Sequence, residues 1–156
     1  MEISVVNRYG GRGVGTRGFT SLLRWLARRL ERTGSGCTVL LCGNREIEAL
    51  NHRFLGRSRP TDVLAFPSGN DGDEQGYLGD IAVSVETARL QATRNGLSLG
   101  EEINRLIVHG FLHLLGYDHE TDNGEMRKIE KTLLRERNAT GYPIRRVASS
   151  QPRKEA

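Results

Sequence analysis

The chain has very few cysteines, and their placement excludes a fold stabilised by disulfides. Cys37 and Cys42 are the only cysteines among 156 residues. In an extended segment, five residues span roughly 16 Å, whereas the α-carbons of a disulfide lie less than about 7 Å apart. The two residues also lack the close spacing of a zinc-binding cysteine pair. Two free thiols are typical of a reducing compartment, so we expect a cytoplasmic protein.

Long apolar runs are also missing, which argues against a membrane protein. No stretch approaches the ~20 apolar residues that a membrane span requires. The first five residues have strand character, with neither a basic region nor a long apolar core, so we expect no secretory signal. The length suits a single core that needs no disulfides. We predict one domain over residues 1–140 and a disordered polar, basic tail over 141–156.

Acidic residues are scarce in the first part of the chain. Residues 1–60 contain eleven arginines and four acidic residues, whereas residues 61–137 contain eight basic and fourteen acidic residues. The net charge of +4 therefore hides a segregation. It indicates a basic surface on the first part of the chain that suits a polyanion, although solvated helix faces would give the same pattern.

A glycine-rich motif lacks the acidic residue of a nucleotide-binding site. Gly13–Gly18 matches G-x-G-x-x-G between a predicted strand and a predicted helix. In a dinucleotide-binding fold the glycines follow the strand directly, and an acidic residue ends the next strand. Here five residues intervene, and the next strand ends in Gly43-Asn44. We interpret the motif as a flexible loop and predict no nucleotide cofactor.

Hydrophobic periodicity predicts an α+β fold. Strand patterns cover residues 3–7, 37–42, 63–66 and 78–85, and helical patterns cover 19–30, 44–55, 86–95, 98–115 and 123–137. This order indicates a mixed four-stranded sheet with surrounding helices, with the third and fourth strands paired antiparallel. Asn44 is expected to cap the second helix, and Ser98 with Glu101 forms a capping-box pair for the fourth.

The fourth predicted helix is apolar almost throughout except for its histidines, so we expect it to be the buried central helix. Three of the four histidines of the chain lie between His109 and His119. His109 and His113 are one helical turn apart, so their imidazoles project from the same face. Gly116 is expected to end the helix, and the chain can then bring His119 towards the other two.

The three histidines predict a metalloprotease-like zinc site. Their spacing, H-x3-H-x2-G-x2-H, matches the metzincin pattern except at one position. Three imidazoles with an open fourth position are typical of catalytic zinc, so we predict one Zn²⁺ per chain, although core histidines would share the helical spacing. The exception is Gly110, which stands where zinc proteases carry the glutamate that acts as general base. A hydrolase that relies on the metal to activate water would not need that glutamate.

Several segments together resemble the YbeY family of zinc-dependent endoribonucleases, which mature ribosomal RNA in bacteria. These segments are Leu50-Asn51-His52, Pro60–Pro67, Leu78–Ile81 and His109–His119. The resemblance implies that His109, His113 and His119 are the zinc ligands. It also implies a cytosolic, single-strand-specific endoribonuclease that acts on the 3′ end of small-subunit ribosomal RNA and in ribosome quality control, in contact with the small ribosomal subunit.

Two positions depart from the family pattern. Leu55 stands where the family usually carries an arginine thought to contact RNA, and Ala65 stands where it usually carries serine. Arg57 and Arg59 follow Leu55 closely and precede the strand that, by resemblance, lies near the zinc. Because arginine pairs well with phosphate, we predict that these two residues bind RNA.

The sequence does not identify the general base. Asp118, next to His119, either orients a ligand histidine or is an ordinary turn residue, and Asp62 and Asp80 at strand starts are similarly ambiguous. Three functions therefore stay open. They are an RNA-cleaving zinc enzyme, which the resemblance favours, a zinc-dependent protease-like hydrolase, and a non-enzymatic ribosome-assembly factor with structural zinc.

Overall fold

The computed structural model describes residues 2–10, 14–69, 76–118 and 120–139. The predicted tail at 141–156 lies outside the described residues. Within them, the order β-α-β-α-β-β-α-α-α is confirmed. The elements are β1 (Ile3–Asn7), α1 (Arg17–Arg29), β2 (Gly36–Cys42), α2 (Asn44–Leu55), β3 (Val63–Pro67), β4 (Tyr77–Ser84), α3 (Val85–Asn95), α4 (Leu99–Leu114) and α5 (Glu125–Ala139). None of the helices in these ranges is both long and apolar enough to span a membrane.

The four strands form one mixed sheet, as predicted, with the order β1-β2-β4-β3. β1 and β4 both run parallel to β2, and β3 pairs antiparallel with β4. β2 lies inside the sheet and both of its faces pack into apolar clusters, so its side chains are largely buried, including both cysteine thiols. This arrangement places β3 at one edge of the sheet, next to the loop that joins it to α2.

α4 is the central helix of the fold, and buried residues occur on most of its circumference. Its apolar side chains belong to one core with residues of α1, the sheet and α5. The predicted capping box is confirmed, since Ser98 Oγ accepts the Glu101 backbone N–H at 3.1 Å and Glu101 Oε1 accepts the Ser98 N–H at 2.8 Å. The helix that carries His109 and His113 is therefore fixed both at its start and along its length.

Two glycines let α4 approach the sheet closely. A Cβ added at Gly110 would lie 2.8 Å from Cγ2 of the buried Ile81 on β4. Gly79 has a φ of +142°, and a Cβ there would collide with the Phe66 carbonyl oxygen and lie 2.9 Å from Leu114 Cδ2. Larger residues would push the helix outward, so these glycines set how closely α4 packs against the sheet.

The predicted role of Asn44 as a helix cap is wrong. Asn44 is the first residue of α2, and Gly43 precedes it as N-cap. The side-chain oxygen of Asn44 instead accepts hydrogen bonds from the hydroxyls of Ser84 at 2.6 Å and Thr87 at 2.8 Å. A tertiary contact with the start of α3 therefore replaces the local cap that the sequence indicated.

Candidate active site

His109 and His113 face each other on the exposed side of α4. Their Nε2 atoms are 3.1 Å apart, and both side chains are half-buried. In a tetrahedral zinc site with Zn–N bonds of about 2.0–2.1 Å, two ligand nitrogens stand roughly 3.3 Å apart. The observed separation therefore fits two imidazoles that share one metal ion.

Each imidazole is oriented through its other ring nitrogen. His109 Nδ1 lies 2.7 Å from Oε2 of Glu130 on α5, and His113 Nδ1 lies 2.9 Å from the Tyr117 carbonyl oxygen. A carboxylate and a carbonyl can only accept hydrogen bonds, so the surroundings assign the proton to Nδ1 in both rings. Metal-binding histidines have this orientation.

His119, the third predicted ligand, lies outside the described residues, and its role stays a prediction. Gly116, with a φ of +101°, follows the end of α4 where the chain was expected to turn. Among residues that are described, no group of three or more histidine, cysteine, aspartate or glutamate side chains is placed to hold a metal. The three-histidine site therefore depends on His119.

Two of the three predicted aspartates line the same cavity as the histidines. Asp118 Oδ1 accepts the backbone N–H of Glu120 at 3.0 Å, which is a turn-stabilising bond. The Nδ1 atoms of the histidine pair are hydrogen-bonded to Glu130 and to the Tyr117 carbonyl, so Asp118 does not orient these two rings. Asp62 precedes β3, and its Oδ2 accepts from the Gln91 amide at 3.3 Å.

Asp80 is not brought to the site. Side chains alternate along β4, and the positions of Gly79 and Ile81 face α4, so Asp80 projects from the opposite face of the sheet. Its carboxylate accepts a hydrogen bond from the Tyr77 hydroxyl, whose oxygen also lies 3.0 Å from Thr38 Oγ1. Burial, followed by this bond to Asp80, raises the pKa of Tyr77 to about 12. Asp80 therefore belongs to a sheet-surface cluster and does not support the histidines.

A cleft of about 620 Å³ opens beside the histidine pair. Arg57 and Arg59, from the loop between α2 and β3, line this cleft together with His109 and His113. Three carboxylate side chains also line the cleft, those of Asp62, Asp118 and Glu120. The structure thus brings the two arginines predicted to bind RNA and two of the predicted metal ligands into one cavity.

Asn51 ties the arginine-bearing loop to the end of α2. Its side-chain Nδ2 donates to the Arg59 backbone carbonyl at 2.9 Å, and its backbone carbonyl accepts the Arg57 N–H at 3.3 Å. Gly56, with a φ of +71°, makes the reversal that this contact requires. Leu55, at the position of the family's usual arginine, is exposed and lines the same cleft.

Glu130 and Asn51 are site residues whose roles the sequence analysis did not assign. Glu130 follows the buried Met126 by four positions and precedes the buried Leu133 by three, so it lies on the inward face of α5. Asn51 likewise follows the buried Ile47 by four positions on α2. A polar side chain on the apolar face of an amphipathic helix is the signal that would have found both residues.

Gly110 disfavours the protease alternative. A side chain at this position would be directed at Ile81, which is fully buried in the core. The catalytic glutamate of a zinc protease therefore has no room here without displacement of Ile81.

Comparison with known proteins assigns the family. The family described as Endoribonuclease YbeY matches residues 18–138. The Endoribonuclease YbeY of Solibacter usitatus is 43% identical over 129 residues, which cover 79% of this chain and 82% of the relative. That of Thermus thermophilus is 42% identical over 120 residues, which cover 72% of this chain and 86% of the relative.

A solved structure has the same fold. The solution structure of a protein from Thermotoga maritima is similar with a TM-score of 0.64 at 28% sequence identity, and the match covers 97% of this chain and 99% of the other. The family match extends from α1 into α5, and it includes both histidines and both arginines of the cleft. On these grounds the chain belongs to the YbeY family of endoribonucleases.

Proposed function

We propose that this protein is a zinc-dependent, single-strand-specific endoribonuclease of the cytoplasm. Its proposed roles are maturation of the 3′ end of small-subunit ribosomal RNA and ribosome quality control, in contact with the small ribosomal subunit. The observation that carries the proposal is the single cleft that contains both the imidazole pair and the two arginines. A metal site beside cationic side chains suits a phosphodiester, because both stabilise negative charge that develops on phosphate oxygens.

His109, His113 and His119 would hold the zinc. When bound, the metal would supply a Lewis acid for a phosphate oxygen, while water or the ribose 2′-hydroxyl attacks phosphorus and one P–O ester bond breaks to leave a new hydroxyl end. The protein itself contributes orientation. The Glu130 carboxylate and the Tyr117 carbonyl keep the proton of each described imidazole on Nδ1, so that the Nε2 lone pairs are available for the metal.

Arg57 and Arg59 would bind the RNA backbone. A guanidinium can pair bidentately with a phosphate, and two of them beside the metal site would hold the strand while it is cut. Because Asn51 already ties down the main chain of this loop, binding need not order it. The two arginines would supply the positive charge that, by resemblance, the family usually places at the position of Leu55.

A substrate comparison tests the proposal and both alternatives. The zinc-loaded protein is offered a labelled single-stranded 3′-end fragment of small-subunit ribosomal RNA, the same fragment in a duplex, and an unfolded protein. We expect cleavage of the single strand only, and its loss in His113→Ala. Cleavage of the unfolded protein would favour the protease-like hydrolase. Cleavage of none of the three would favour the assembly factor.

A pair of double variants separates RNA binding from metal binding. Arg57→Ala with Arg59→Ala should weaken RNA binding and leave the zinc content unchanged. Each lost phosphate contact flattens the log–log salt dependence of single-strand binding by roughly 0.7, so we expect a change of roughly 1.4. Arg24→Ala with Arg28→Ala is the matched control, since both residues are exposed on α1 and do not line the cleft. Equal slopes for the two double variants would exclude Arg57 and Arg59 as phosphate contacts.

A further inference from the structure

We propose that Phe54 is a stacking platform for one unpaired base of the RNA substrate. The inference rests on the proposed endoribonuclease function and adds a base-binding subsite to it. Phe54 lies in the last turn of α2, immediately before Leu55, which lines the cleft. Although it is a large aromatic residue, it is 56% exposed. It therefore offers an exposed apolar surface outside the cleft, one residue before a side chain that lines it.

The ring of Phe54 is fixed in place while much of its surface stays open. Phe66 on β3 packs against it edge to face, with ring centroids 5.3 Å apart and an interplanar angle of 61°. The guanidinium carbon of Arg53 lies 5.3 Å from the Phe54 ring centroid. A ring that is already oriented loses little conformational entropy when a base stacks on it. Exposed aromatic side chains beside cationic groups bind single strands in this way.

The charge around Phe54 favours RNA over a protein partner. Arg53, Arg57 and Arg59 flank the ring in sequence, and residues 49–61 contain no acidic residue. The exposed apolar patch consists of Phe54 and the next residue, whereas a stable protein interface usually buries about 800 Å² on each side around an apolar centre. A small aromatic surface among arginines instead matches the alternation of base and phosphate along a single strand.

Stacking on Phe54 would also contribute to the choice of single strands. Phe54 does not line the cavity that contains His109 and His113, and its ring packs against Phe66 on the sheet face opposite to α4, so the strand would continue round the edge strand β3 and past Leu55 to enter that cavity. The stacked nucleotide would therefore lie outside the cavity, on the same strand as the bond that is cut. A base within a duplex is already stacked and paired, and its transfer to Phe54 would cost the free energy of that pairing.

Binding of a labelled single-stranded RNA to the full chain across a salt series tests the inference. Phe54→Ala should weaken binding by about 5-fold to 150-fold, the range for the loss of one stacked base. The log–log salt slope should stay unchanged, because no phosphate contact is lost. Phe54→Leu keeps an apolar cover over Phe66 but has no aromatic face, and it should bind as weakly as Phe54→Ala. Leu90→Ala, which truncates a side chain 61% exposed on α3, is the control and should bind like the parent.

Two further measurements identify the ligand as a base. Phe54→Trp should restore the affinity, and its emission should be quenched by RNA; the parent, whose only tryptophan is Trp25, serves as the blank. In a set of RNAs that each lack one base, only the RNA that lacks the stacked base should bind the parent more weakly than the intact RNA. Removal of that base should not weaken binding to Phe54→Ala any further. Parental affinity of Phe54→Leu would overturn the inference and leave the patch to a protein partner. Failure of the parent itself to bind or cut RNA would instead refute the proposed function.

Discussion

Replacement of Glu130 should weaken zinc binding although Glu130 is not itself a predicted ligand. Its Oε2 lies 2.7 Å from His109 Nδ1, and the two side chains are only 15% and 22% exposed. Solvent therefore screens this hydrogen bond only in part. Without the carboxylate, the His109 ring can rotate or move its proton to Nε2, and either change removes the lone pair that the metal needs.

The size of the effect follows from the type of bond. A hydrogen bond to a charged group contributes about 1.5–3 kcal/mol, which corresponds to a factor of about 10 to 150 in an equilibrium constant. The loss of a carboxylate that supports a metal-binding histidine typically lowers metal affinity by about 10-fold to 100-fold. We expect about 10-fold for Glu130→Gln, which keeps an acceptor oxygen, and about 100-fold for Glu130→Ala.

The assay is competition for Zn²⁺ between the protein and a chromophoric chelator, with the absorption spectrum of the Co²⁺-substituted protein as a second readout. Glu136→Gln is the matched control, because Glu136 lies on the same helix and pairs with Arg29 at 2.6 Å. Melting curves of the metal-free variants check that α5 still packs. Parental zinc affinity in Glu130→Ala would refute the reasoning, since the contact would then not decide the state of His109.

Three other predictions concern the metal, the close packing of α4 and the buried thiols. Removal of the metal by a chelator should lower the melting temperature without unfolding the protein, because the metal stabilises the folded state by mass action while the core holds α4 independently; identical melting of both forms would contradict this coupling. Gly110→Ala should lower the free energy of unfolding by about 1 kcal/mol in urea denaturation, since overpacking against Ile81 costs about 1–3 kcal/mol and alanine regains about 1 kcal/mol of helix propensity; a more stable variant would show that Ile81 yields freely. Cys37 and Cys42 should resist a thiol reagent at pH 8 in the folded protein, because burial raises the pKa of both thiols from 9.0 to about 12. As the pH rises from 9 towards 12, the thiols ionise in the unfolded protein before they ionise in the folded one, so the free energy of unfolding should decline over this range. Rapid labelling of the folded protein at pH 8 would contradict the raised pKa of the two thiols.

The elements of the fold were predictable because their signals are local. The capping box of Ser98 and Glu101 lies within four residues, and the apolar periodicity of α4 is complete within its own length. Asn44 shows where local signals fail. The same residue type that favours a helix cap also bonds to distant hydroxyls, and the approach of α3 decided between the two outcomes.

The surroundings of the histidines were less predictable, because they depend on contacts between distant segments. Glu130 reaches His109 only after α5 has docked on α4, and no local pattern specifies that docking. Asp80 shows a second limit. A strand boundary does not reveal which of its two faces meets the central helix, and a shift of one residue exchanges them.

The different partners of the two histidines have an evolutionary consequence. The His109 ring is hydrogen-bonded to a side chain, so a single codon change at position 130 can remove this bond. The His113 ring is hydrogen-bonded to the backbone carbonyl at position 117, which every amino acid has. Substitutions can therefore change the support of the His109 ring directly. The support of the His113 ring changes only if the backbone of the turn changes its conformation. If the proposed zinc site is correct, relatives that differ in zinc affinity through these contacts should diverge at position 130 more often than at position 117.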